Sequence, residues 1–63
     1  MLNLQNIKAE MARNNMTGLK IAEILNLSPT SLYLKLGGKR DFTAKELGKL
    51  AEILNTNVNF FYN

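Results

Sequence analysis

The chain has 63 residues, a net charge of +3 and an isoelectric point near 9.5, with no cysteine and no histidine. That length is read as one domain over residues 1–63 and leaves no room for a second, while the missing cysteine and histidine exclude disulfides and make a structural zinc site untenable. No apolar run approaches the roughly 20 residues needed to span a bilayer, and Met1 to Asn6 lacks the charged and continuously apolar regions of a secretory signal, so a cytoplasmic protein is expected. A chain this short buries only about 60% of its unfolded surface, and close packing of short helices is the remaining source of stability.

The first helix is expected from about Leu4 to Asn14, with Leu4, Ile7 and Met11 on one face. Asn14-Asn15 closes it, because asparagine tolerates the left-handed conformation that helix ends often need. Thr17 is a natural cap for the second helix, which turns Ile21, Ala22 and Leu25 inward and Lys20, Glu23 and Asn26 outward. Ser28-Pro29 is the clearest helix start, a serine cap followed by proline at the first helical position. That third helix ends at Gly37-Gly38, where positive φ costs little. Thr43-Ala44-Lys45-Glu46 has the form of a capping box and opens a fourth helix with Leu47, Leu50, Ala51 and Leu54 inward. Asn57 caps a last short turn holding Val58, Phe60, Phe61 and Tyr62. No segment alternates long enough to predict a strand, and the expected fold is an all-α bundle of about five short helices.

A turn of about 100° per residue places Leu32 and Leu36 of the third helix against Ile21 and Leu25 of the second. The opposite face is centred on Thr30 and Leu34 and flanked by Ser31 and Tyr33, with Pro29 at the helix entry. Two short helices joined by a tight turn, with an outward face of hydroxyls and apolar groups, are what a reader of the DNA major groove requires. Hydroxyls can bond base edges or phosphate, and threonine or leucine can meet a thymine methyl. These five residues are the candidates for base contact. The competing reading packs Tyr33 and Leu34 against a neighbouring helix or a second subunit.

Charge is distributed to match. No acidic residue lies between Ile24 and Arg40, whereas Lys35, Lys39 and Arg40 fall within that stretch. The other five cations are interleaved with the five acids, so the net charge resides beside the third helix. Lys35, Lys39 and Arg40 are therefore candidates for phosphate contact, together with Thr17, Gly18 and Lys20 at the positive end of the second helix. A merely solvated basic patch is the alternative.

These residues together resemble the Cro/cI-type, lambda-repressor-like (Xre) helix-turn-helix regulators, over Ile7 to Phe61 without gaps. Thr17, Ile21-Ala22, Leu25, Leu27-Ser28 and Leu32 stand where that family builds its bihelical unit. Lys35-Leu36-Gly37-Gly38-Lys39-Arg40-Asp41-Phe42-Thr43 looks like the K-L-N-G-K-R-x-F-T run of a small phage-associated branch. Three departures stand out: Gly18 where the family often has a phosphate-binding glutamine, Asn26 where the turn glycine is usual, and a third helix without glutamine, asparagine or arginine. The resemblance implies a transcriptional regulator, in the first instance a repressor, that binds a pseudo-palindromic operator as a homodimer with third helices in major grooves roughly 34 Å apart. Phe60, Phe61 and Tyr62 are the candidates for the dimer contact, closure of the monomer core being the other role open to Phe61. The modest base-reading chemistry keeps a second class in view, an interaction module such as an antirepressor or antitoxin. Neither a catalytic residue nor a cofactor, metal, membrane or small-molecule substrate is expected, because the five acids sit singly on helix faces that read as solvated.

Overall fold

Asn3 opens the first helix: its side-chain oxygen accepts hydrogen bonds from the backbone N–H groups of Gln5 (3.0 Å) and Asn6 (3.2 Å), which would otherwise have no partner. In the computed structural model, which describes residues 1–62, that helix (α1) runs Leu4–Arg13. It is followed by α2 (Gly18–Leu25), α3 (Pro29–Leu36), α4 (Ala44–Ile53) and a 3-10 helix, Val58–Phe61. The fold is all-α. The fifth helical piece has the tighter 3-10 winding, and the one extended pairing among the described residues is an isolated antiparallel bridge between Leu2 and Tyr62.

Helix starts follow the caps that the sequence marks. Thr17, Ser28 and Thr43 each accept, at 3.1 Å, from the backbone N–H of Lys20, Ser31 and Glu46. The Thr43–Glu46 capping box is completed by the Thr43 N–H, which donates to Glu46 Oε1 at 2.9 Å. One device ends all four α-helices. Asn15, Asn26, Gly38 and Asn55 have positive φ, from 54° to 81°, and after each the next N–H reaches back five residues: Met16 to Met11, Leu27 to Ala22, Lys39 to Leu34 and Thr56 to Ala51, at 2.8 or 2.9 Å. This is the long bond of a Schellman ending. Three of the four left-handed positions use asparagine, the side chain that bears this conformation best after glycine. Asn26→Ala should therefore cost about 1 kcal/mol in urea unfolding while Asn26→Gly costs nothing; equal stability of all three chains would show that the α2–α3 turn is not held this way.

α2 sits centrally, packed on α3 and α4, and the 3-10 helix packs on α1 and α4. Ile21, Ala22, Leu32, Leu36, Leu47, Leu50, Ala51 and Leu54 are buried as the periodicity predicts, with Leu25 half-buried. Two aromatic residues join them from outside any α-helix, Phe42 and Phe61. Phe61 has 0% of its surface exposed, and its carbonyl accepts from the Asn3 N–H at 2.6 Å while Asn6 Nδ2 donates to the Phe60 carbonyl at 3.0 Å. The two ends of the chain thus clasp each other and drive Phe61 inward. Phe61 is a core residue and not a dimer contact, whereas Phe60 and Tyr62 remain 44% and 42% exposed.

Glu10 also departs from expectation. It is buried, with Arg13 Nη1 donating to its Oε2 at 3.1 Å, not on a solvated face. It lies three residues beyond Ile7, hence roughly 60° from the direction of the buried stripe.

Candidate nucleic-acid interface

The outward face of α3 divides into open and half-covered parts. Pro29, Thr30 and Tyr33 are exposed, and Ser31 and Leu34 are half-buried. At its start Ser28 Oγ accepts from the Ser31 N–H and donates to Ser31 Oγ at 3.0 Å, which also receives a hydrogen bond from Arg40 Nη1 at 3.3 Å. Gly38, with φ 81°, turns the chain so that the Lys39 and Arg40 N–H groups both donate to the Leu34 carbonyl, at 2.8 and 3.3 Å. Exposed Lys39 and Arg40 are thereby folded back beside the helix.

Tyr33 leans across to α2. A methyl group at Gly18 would stand 2.8 Å from the Cε1 and hydroxyl oxygen of Tyr33 and 3.0 Å from its Cζ, closer than carbon contacts allow. The tip of the Tyr33 ring occupies the space that a side chain at position 18 would take, so a larger residue there would require this exposed ring to swing aside. Gly18 is consequently buried, and it does not offer the open amide to a phosphate that the sequence suggests. Thr17 and Lys20 are exposed.

Lys35 needs the larger correction. It is only 9% exposed, its Nζ donates to Glu46 Oε1 at 2.5 Å, and the ammonium lies 6.0 Å from the centre of the Phe42 ring, within the range of a cation–π contact. One carboxylate oxygen therefore receives both Lys35 and the capping N–H of Thr43, tying α3 to the start of α4. Burial by itself would raise the Glu46 pKa; the hydrogen bond from Lys35, those from Thr43 and the Lys35 charge outweigh it and hold the carboxyl below its ordinary value. Lys35 is spent inside the protein and is not a phosphate contact.

What remains exposed on and around α3 is Thr17 and Lys20 near the start of α2, Pro29, Thr30 and Tyr33 on α3, and Lys39 and Arg40 in the loop after it, with Ser31 half-buried. Leu19, beside Lys20, is 61% exposed and is an apolar surface residue that the helical pattern did not single out. No group of three or more metal-binding side chains occurs among the described residues, and no helix among them is long and apolar enough to cross a membrane. Compared with known protein families, curated proteins and solved structures, the chain matches none.

Proposed function

We propose that the chain is a small double-stranded DNA-binding regulator of transcription in the cytoplasm, a repressor that works by occupying its operator, with α3 in the major groove. One observation carries this reading: the α2–turn–α3 unit leaves Thr30 and Tyr33 exposed on α3 and Ser31 half-exposed, with the exposed cations Lys20, Lys39 and Arg40 on the adjoining α2 and loop. Thr30, Ser31, Tyr33 and Leu34 face bases, Pro29 lies at the helix entry, and Thr17, Lys20, Lys39 and Arg40 supply contacts to the charged backbone. The Cα envelope measures 26 × 23 × 19 Å, less than the roughly 34 Å between successive major grooves on one side of a duplex. One chain serves one groove, and a homodimer joined through Phe60 and Tyr62 serves a pseudo-palindromic pair.

Selection of duplexes from a random pool at near-physiological salt tests the proposal: it should return a two-fold symmetric site with half-site centres one helical turn apart, and an unselected pool would contradict it. Lys39→Gln should weaken binding to selected and random duplexes alike and reduce the salt slope by about 1 for each chain bound. A protein-docking function draws on Leu19 and Ile24, 61% and 39% exposed on α2. Binding to a protein that is indifferent to salt, with no duplex shifted, would establish that second reading instead.

A further inference from the structure

We propose that Arg40, in the loop after α3, is the residue that reads a guanine in each half-site. The assignment rests on the DNA-binding reading above and changes the role of Arg40 from phosphate neutraliser to base reader. α3 itself offers Pro29, Thr30, Ser31, Tyr33 and Leu34 to the groove, and none of these can form two parallel hydrogen bonds to a single base. Discrimination by α3 alone would be weak.

Arg40 fills that place by geometry. The left-handed Gly38 and the two bonds to the Leu34 carbonyl bring its backbone back over the end of α3. Its side chain then runs toward the start of the helix, where Nη1 donates to Ser31 Oγ, nine positions earlier in the chain. The guanidinium sits at the first turn of α3, the part of a recognition helix that meets base edges, and not beyond its end where flanking phosphates would lie. Arg40 is exposed and, among the described residues, no carboxylate holds it: the two ion pairs are Arg13–Glu10 and Lys35–Glu46.

The polarity of the cluster selects the base. Ser31 Oγ accepts from Arg40 Nη1 and stands 3.0 Å from Ser28 Oγ, so the serine pair holds one edge of the guanidinium against the first turn of α3. The remaining N–H groups of the guanidinium are donors only. A patch made of donors matches the base that shows two acceptors side by side in the major groove, guanine with O6 and N7. Adenine and cytosine each place a donor there and thymine has one acceptor beside a methyl group. The planar fork of arginine fits the guanine pair in a way that a point charge does not.

The test compares Arg40→Gln with Lys39→Gln, two variants that lose the same charge, after circular dichroism has shown both to be folded. The wild type should select duplexes with a fixed guanine in each half-site. Lys39→Gln should keep that guanine while losing affinity for every duplex. Arg40→Gln should lose the guanine preference, with at least a tenfold drop on the selected site beyond the loss of Lys39→Gln, in keeping with the value of a bidentate pair. Replacing the guanine by 7-deazaguanine, which removes the N7 acceptor, should weaken the wild type and leave Arg40→Gln unaffected. The assignment is overturned if Arg40→Gln retains the same guanine, if the wild-type site contains no fixed guanine, or if 7-deazaguanine weakens both proteins equally. A wild type that shifts no duplex at any salt overturns the DNA-binding reading itself, and the assignment with it.

Discussion

Phe61→Ala is expected to remove most of the stability of the chain. The ring has 0% exposure and stands where α1, α4 and the 3-10 helix meet. Truncating a buried phenylalanine costs about 3–5 kcal/mol, whereas a domain of this length holds roughly 3–9 kcal/mol in all. The loss also loosens the clasp, because Asn3 and Asn6 bond the Phe61 and Phe60 carbonyls only while the 3-10 helix is seated. Helical circular dichroism followed through a urea titration should show the midpoint lowered by at least half, with Phe61→Leu in between. If Phe61→Ala unfolds like the wild type and changes a monomer–dimer equilibrium instead, the residue belongs to an interface and the packing described is wrong.

Lys35→Met is expected to cost about 3 kcal/mol, the lower end for stripping one partner from a buried ion pair, since the two side chains keep 11% and 16% exposure. The Glu46 carboxylate would be left without its cation at the foot of α3. The double change Lys35→Met with Glu46→Gln should recover most of the loss, because glutamine still serves the capping box and no uncompensated charge remains. The pH response follows from the direction of the Glu46 shift. A carboxyl whose folded pKa lies below its unfolded value, about 4.3 for glutamate, contributes stability above that value and loses it as pH falls through the folded one. Wild-type stability should therefore decline from about pH 4.3 downward, and the decline should be shallower in Lys35→Met, where Glu46 lacks the interactions that lower it. Parallel pH profiles for the two chains would mean that the pair contributes nothing.

The helices and most of their ends were legible in the sequence because their signals are local, the Asn3 cap of α1 and the Asn55 ending of α4 being the exceptions. Thr17, Ser28-Pro29 and Thr43 to Glu46 each declare a start within four residues, and the apolar spacing of α2 and α4 fixes which side is buried. The packing of α3 against the loop and helix beyond it was not legible. Lys35 reads as a free cation because its partner, Glu46, lies eleven residues on in another helix. Phe42 belongs to no periodic stretch, and its place beside the Lys35 ammonium depends on how the loop closes. Gly18 reads as a missing phosphate ligand, and only the fold shows the tip of the Tyr33 ring lying over it. Arg40 reads as one more basic residue, since only the turn at Gly38 brings it back to Ser31. Glu10 is different: its spacing of three from Ile7 placed it near the buried stripe, but its charge argued against burial, and the neighbouring Arg13 resolves the conflict.

The most direct test of DNA binding by this surface is the affinity of the wild-type chain for its selected duplex across a range of salt concentrations. With Lys35 held inside and Arg40 assigned to a guanine, Lys20 and Lys39 from each of two chains remain to neutralise phosphates, so log K should fall with log salt with a slope of about −3 to −4. A flat salt response, or no complex with any duplex, would contradict the assignment of these residues to a nucleic-acid interface.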